Sequence, residues 1–171
     1  NMEEMLSFVE FAKKYRHFRG YVVWDEPLED DALEAAAEQL RIIEEMDPDS
    51  IPYTVAIPSY NATYTWENGL YEDYLKRYAE KLNPCTMILD YYPFSSTRPE
   101  AFEQIDDSNL FLDIALLRKI GLEKKTPMWF VIQTLDSPFG EKYFDFAPAK
   151  VTMQAYNVLI HGGKGIQFYS T

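Results

Sequence analysis

Gly20-Tyr21-Val22-Val23-Trp24-Asp25-Glu26-Pro27 is the segment that most clearly indicates the fold class of this chain. Its apolar and aromatic positions run directly into two carboxylates and a proline, which is the pattern of a buried parallel strand that ends at a polar rim. In parallel α/β folds, ligands bind at the carboxyl ends of the strands. Asp25 and Glu26 are therefore candidate functional residues. The alternative is that they only begin the acidic loop that continues through Glu29, because acids are common before a helix start.

On both sides of this stretch, apolar segments of strand length alternate with amphipathic segments of helix length. The predicted strands are 20–24, 53–57, 86–89, 128–134 and 165–169, and the predicted helices are 3–17, 32–46, 69–82, 110–120 and 148–160. Such alternation favours parallel strands joined by right-handed crossovers. An open doubly wound sheet and part of a barrel both satisfy it, and polar residues at successive strand ends favour the barrel. We predict a single α/β domain over residues 1–171, of the parallel (β/α) barrel type with about five strands.

The composition limits the classes of partner. The chain has 171 residues, a formal net charge of −12 and a pI near 4.5. Nucleic acids and anionic membrane surfaces are bound by clustered Lys and Arg, so this balance argues against both. The single cysteine, Cys85, leaves no disulfide framework and is expected to be a buried thiol. No apolar stretch reaches the roughly 20 residues that span a bilayer, and the amino terminus lacks a signal pattern, so we expect a soluble chain.

Neither a metal site nor a cofactor is predicted. The two histidines, His17 and His161, are far apart in sequence and lack acidic ligand spacing. The run Gly162-Gly163-Lys164-Gly165 is rich in glycine, but it precedes a strand instead of joining a strand to a helix. It therefore does not indicate a phosphate-binding loop.

Five segments together carry a resemblance to a known family: 20–27, Tyr74 with Leu75, 89–94, 129–133 and 161–169. In this order they resemble the carboxyl-terminal half, strands four to eight, of a TIM-barrel glycoside hydrolase-like protein. The resemblance implies a partial TIM barrel that is part of a larger barrel, and a function of acting on or binding carbohydrate. It also implies a secreted or periplasmic location.

The resemblance also implies roles for two strand ends. In the clan of retaining barrel glycosidases, a Glu preceded by Asn closes strand four and is the general acid/base. Glu26 falls at that position, with Asp25 in place of the Asn. The nucleophile of that clan is a Glu at the end of strand seven, where this chain has Gln133. An amide cannot attack an anomeric carbon, so a retaining mechanism does not follow from the resemblance.

Glycoside hydrolysis needs one carboxylic acid that protonates the leaving oxygen and a second carboxylate. Glu26 is the candidate acid and Asp90 the candidate second carboxylate, with Asp25 and Asp136 as weaker ones. The alternative for Asp90 is a structural residue that caps the backbone of the turn at 91–94. Aromatic faces stack on sugar rings, and polar rim residues bind hydroxyls. The predicted substrate contacts are Trp24, Asp25, Tyr60, Asn61, Tyr91, Tyr92, Gln133 and Tyr169.

Two classes of function stay open. The first is a glycoside hydrolase, and the second is a non-catalytic glycan-binding or assembly segment that lacks the strand-seven nucleophile. Five strands cannot close an eight-stranded barrel, so the inner face of the sheet is expected to need a partner. We expect a second copy of the chain or the remainder of the barrel to supply it. The residues predicted on that face are Val22, Trp24, Val55, Ile88 and Val131.

Overall fold

The computed structural model describes residues 2–60, 70–94, 109–134 and 148–169. Helices and strands alternate along these ranges, as the sequence predicted. The helices are α1 (Met2–Ala12), α2 (Asp30–Met46), α3 (Leu70–Leu82), α4 (Leu110–Lys124) and α5 (Pro148–Ile160). The strands are β1 (Gly20–Asp25), β2 (Ile51–Val55), β3 (Met87–Tyr91), β4 (Met128–Gln133) and β5 (Gly165–Tyr169).

The described strands are all parallel, which confirms the α/β class. β1 pairs with β2, and β4 pairs with β3 on one side and β5 on the other. A single parallel bridge between Ala56 and Leu89 joins the two groups, and the Ala56 N–H donates to the Ile88 carbonyl at 2.8 Å. The strands therefore form two small parallel sheets, β1-β2 and β3-β4-β5, and the bridge places β2 beside β3, in chain order. Because the strands are parallel, their carboxyl ends meet at one edge.

Side chains alternate between two faces of the sheet. Met87 and Leu89 of β3 point toward the helices and belong to the main core, whereas Ile88 lies on the opposite, inner face. The sequence predicted that the inner face would lie open: Val22 is 59% exposed, as expected, but Ile88, Val55 and Val131 are at most 6% exposed. Ile88, Val55 and Val131 pack in one cluster with Tyr53 and with the partly buried Trp129 and Tyr169.

A bulge in β1 changes the face to which the end of this strand points. The register with β2 shifts by one residue at Val23. Beyond the shift, Trp24 pairs with Thr54 and Asp25 pairs with Val55. Paired residues share a face, and Thr54 faces α3, to which its side chain is hydrogen-bonded. Trp24 therefore packs against the main core on the helix side, which corrects the prediction that it lies on the inner face.

Two local expectations differ from the structure. Cys85 is exposed rather than buried, because it lies in the turn before β3, with its Sγ 3.5 Å from the Pro52 carbonyl oxygen. The sequence predicted that α4 ends before Gly121, but the helix continues to Lys124. Gly121 is buried, and a Cβ there would lie 2.9 Å from the Thr126 carbonyl oxygen, so close packing explains this glycine.

The helices of the described ranges are too short or too polar for any of them to cross a membrane.

Candidate functional site

The carboxyl ends of β1 and β3 bring two acidic side chains into one site. Asp90 follows Ile88 by two residues, so it lies on the inner face of β3, and it is 5% exposed. Glu26 directly follows β1 and is half-buried. Its N–H donates to the Val55 carbonyl at 3.0 Å, and its φ is 50°. This left-handed conformation is uncommon outside glycine, and such strain is often found at functional sites.

Asp90 is a carboxyl group whose pKa is raised far above its ordinary value. Burial, followed by the negative charge of Glu26, raises its pKa to about 7, although a hydrogen bond from the Tyr92 side chain opposes the shift. The Oδ1 atom is buried and has no hydrogen-bond partner within the described ranges. A buried oxygen without a partner costs free energy unless an incoming group satisfies it. Asp90 therefore combines an available proton with an available oxygen.

Glu26 is the more accessible member of this carboxyl pair. Burial raises its pKa, and the charge of the adjacent, exposed Asp25 raises it further. The charge of Glu26 in turn disfavours ionisation of Asp90. Two neighbouring carboxyls with unequal burial lose their protons at different pH values, and such a difference is what acid and base roles in catalysis depend on.

Tyrosine side chains surround the carboxyl pair. The ring of Tyr60, which is 48% exposed, meets the buried ring of Tyr91 edge-on, with centroids 5.0 Å apart. The rings of Tyr92 and Tyr169 lie 5.1 Å apart. Burial, followed by the charge of Asp90, raises the pKa of both Tyr60 and Tyr92 well above the ordinary value. Their hydroxyls therefore stay protonated: that of Tyr92 donates to Asp90, and that of Tyr60 lies on a half-exposed side chain of the rim, beside ring faces of the kind that pack against sugars.

Gln133 ends β4 at the same edge, but its side chain is hydrogen-bonded to the backbone after β3. It is fully buried, and its Oε1 accepts a hydrogen bond from the Phe94 N–H at 3.1 Å. The Gln133 N–H donates to Oε1 of Gln154 in α5 at 2.9 Å, and Nε2 of Gln154 donates to the Gln133 carbonyl at 3.0 Å. These bonds fix the segment that follows Tyr92. The sequence located Gln133 at the rim but gave no indication of these partners.

Tyrosine hydroxyls of α3 fix the loop that carries Glu26. Tyr74 donates to the Pro27 carbonyl at 3.1 Å and accepts from the Ile57 N–H at 3.1 Å. Tyr71 donates to the Ile57 carbonyl at 3.0 Å. Both side chains are fully buried, and their hydroxyls supply hydrogen bonds to backbone groups at the ends of β1 and β2 that would otherwise need water. The sequence indicated an aromatic helix face here, but not that its hydroxyls reach the loops.

Asp113 of α4 is a site residue that the sequence analysis missed. It is fully buried, and its Oδ2 accepts from the Ser59 N–H at 2.9 Å. Ser59 precedes Tyr60, so this carboxylate helps to position an aromatic residue of the rim. The available signal was a lone acid within the otherwise apolar run of 110–117.

Two of the predicted site residues fall outside the described residues. They are Asn61, expected at the rim, and Asp136, a weaker candidate carboxylate. In the ranges that the structure describes, no three His, Cys, Asp or Glu side chains gather as the ligands of a metal ion would.

Neither a protein-family model nor a curated protein matches the sequence. Eleven chains of known structure do match. One is a crystal structure from Bacteroides thetaiotaomicron that is described as a candidate alpha-L-fucosidase, with a TM-score of 0.70 and 10% sequence identity. The match covers 99% of this chain and 52% of the other, so the chain spans about half the length of that protein. At this identity the likeness shows the fold alone, and it gives distant support to a glycoside hydrolase-like architecture.

Proposed function

We propose that this chain is a segment of a (β/α) barrel of the glycoside hydrolase type, which binds carbohydrate at the carboxyl ends of its strands and hydrolyses glycosidic bonds. The observation that carries the proposal is the pair Asp90 and Glu26, two carboxyls with raised pKa values inside a rim of tyrosines. Perturbed carboxyls in such a setting are characteristic of catalytic sites. The likeness in fold to a candidate alpha-L-fucosidase supports the substrate class.

The degree of burial favours a particular division of roles. Protonation of the leaving oxygen requires a carboxyl that still carries its proton at the working pH. Asp90 is the more buried, and its pKa of about 7 suits a proton donor. Glu26, the more accessible carboxylate, then activates water or stabilises the positive charge that develops on the sugar. This assignment reverses the one that the family resemblance implied, in which Glu26 is the acid.

The strand order supports the barrel. A doubly wound sheet reverses its strand order at a switch point, whereas the strands of a (β/α) barrel pair in chain order, as β1 to β5 do. Further units would lie against the open side of β1, where Val22 is 59% exposed. The outward face of α1 is similarly apolar, with Phe8 and Phe11 exposed. We propose that the remainder of the barrel, or a second copy of the chain, covers these side chains.

Gln133 supports a second candidate function, a glycan-binding segment without catalysis. It stands where the resemblance places the nucleophile, and its amide is bound to the Phe94 backbone. A segment with this substitution would retain the tyrosine rim for binding while lacking one of the two carboxylates that the retaining mechanism needs.

The test is a comparison of four proteins on sugars and on nitrophenyl glycosides, including nitrophenyl α-L-fucoside. The proteins are the wild type, Asp90→Asn, Glu26→Gln and the control Asp49→Asn, which removes an exposed carboxylate from the turn before β2. A hydrolase should lose roughly 10² to 10⁴ in turnover in each site variant, and none in the control. Sugar binding by calorimetry, without turnover in any of the four proteins, would support the second function. If the wild type shows neither sugar binding nor turnover, both proposed functions are refuted.

A further inference from the structure

A cavity of about 510 Å³ lies at the amino-terminal end of β4 and β5, at the opposite end of the sheet from Asp90. Its walls come from the last turns of α4, from the turn that leads into β4, and from the turn between α5 and β5. Arg118, Lys125 and Lys164 line it, one from each of these segments. The volume is in the usual range for sites that bind small molecules.

The charge of this cavity is opposite to that of the chain. The whole sequence has a formal net charge of −12, yet the residues that line the cavity include three cationic side chains and no Asp or Glu. Within the described ranges, Arg118, Lys125 and Lys164 form no salt bridge, whereas Lys13, Lys76, Lys81, Lys119 and Lys124 are each paired with a carboxylate. Unpaired cations that converge on one cavity produce a local positive potential that attracts anions.

The guanidinium of Arg118 is held in place by the turn after α5. Its Nη1 donates to the His161 carbonyl at 2.5 Å. Gly162 has a φ of 83°, and a Cβ at this position would lie 2.8 Å from Arg118 Nη1, so the turn closes on the guanidinium only because a glycine is present. The imidazole of His161 is fixed too, since its Nδ1 lies 2.8 Å from the Asn157 carbonyl oxygen.

Helix dipoles explain only part of this arrangement. The cavity adjoins the carboxyl ends of α4 and α5, where cations are favoured. The bond from Arg118 to the His161 carbonyl satisfies that preference at α5. Lys164 belongs to neither helix, and the dipoles give no reason for an open cavity between these side chains. The apolar side chains of Leu122 and Met128 also line it.

We propose that this cavity binds a small organic anion, a phosphate monoester with an apolar body. The three cations receive the phosphate, which Arg binds through paired N–H groups and Lys as a point charge. Leu122 and Met128 receive the apolar body. The site lies at the other end of the strands from the carboxyl pair, so it does not depend on the function proposed above.

Phenyl phosphate is the probe, because it combines both parts of the proposed ligand, and inorganic phosphate and phenol each carry one. Calorimetric titration should show phenyl phosphate binding more tightly than either, and added salt should weaken it. The variants are Lys125→Asn, since asparagine tolerates the left-handed conformation that Lys125 has, and Lys164→Gln. Each should weaken binding by roughly fivefold, the contribution of one partly exposed ion pair.

The matched control is Lys14→Gln, an exposed lysine beyond α1 that does not line the cavity. It should bind phenyl phosphate as the wild type does, and so should Asp90→Asn. The proposal is overturned if phenyl phosphate shows no saturable binding at millimolar concentration. It is equally overturned if phenol binds as well as phenyl phosphate, or if the Lys125 and Lys164 variants bind like the control.

Discussion

Asp90→Asn should remove a large part of the pH dependence of stability. The ordinary pKa of an aspartate is 3.8, and burial with the charge of Glu26 raises that of Asp90 to about 7. The folded state then holds this proton more tightly than the unfolded state does. The stabilising contribution is complete below the unfolded pKa and is lost as the pH rises through the folded pKa. At about 1.4 kcal/mol per pKa unit, the shift corresponds to a loss of about 4 kcal/mol in the free energy of unfolding.

Urea denaturation followed by circular dichroism, at intervals between about pH 4 and pH 8.5, measures this loss. The wild type should lose stability across this range relative to Asp90→Asn, because asparagine cannot ionise. The difference should be largest above the folded pKa of about 7 and smallest at the acidic end. Water penetration would reduce this difference in the free energy of unfolding. For a side chain as buried as Asp90, we expect the difference to be at least about 1 kcal/mol.

Asp49→Asn is the control for this experiment, since it removes an exposed carboxylate without changing the core. Its stability should follow that of the wild type at every pH. A constant difference between Asp90→Asn and the wild type over the whole range would refute the reasoning. So would a carboxyl carbon resonance of Asp90 that titrates at the ordinary pKa in NMR.

Three further changes test other parts of the structure. Gln133→Leu should lower the free energy of unfolding by about 1 to 3 kcal/mol in urea, because the buried Phe94 N–H loses its partner; an unchanged midpoint would mean that this bond does not form. Gly165→Ala should cost about 1 to 3 kcal/mol and alter tryptophan fluorescence, because its Cβ would lie 2.5 Å from the Trp129 ring; a stability and spectrum like those of the wild type would contradict this contact. Val22→Lys should weaken any self-association seen by sedimentation without lowering the melting temperature, because Val22 is exposed on the edge strand; equal association in both proteins would place the interface elsewhere.

The sequence predicted best those elements whose ends are fixed by local chemistry. α5 and β5 have the bounds that were expected, 148–160 and 165–169, because a proline begins the helix and glycines separate it from the strand. Glu26 and Asp90 could be placed at one edge because parallel strands end on the same side. Local patterns were sufficient for these features.

Features that depend on pairing between distant segments could not be predicted in this way. The bulge at Val23 exists only in the register with β2, and it moves Trp24 to the helix side. Asp113 is recognisable as a site residue only through its bond to Ser59, which lies 54 positions earlier in the chain. Gln133 resembled a substituted nucleophile in sequence, whereas its contact with Phe94 gives it a structural role.

The single bridge between Ala56 and Leu89 has a consequence for the motions of the protein. Fewer backbone bonds hold β2 to β3 than hold the other neighbouring strands, so transient opening should begin at this seam, and the Ala56 amide should exchange with solvent earlier than the amides of β4. Glu26 stands on one side of the seam and Asp90 on the other. When the seam parts, water reaches Asp90 and its repulsion by Glu26 weakens, which favours the ionised form. Ionisation of Asp90 and transient opening between β2 and β3 are therefore linked, and each promotes the other.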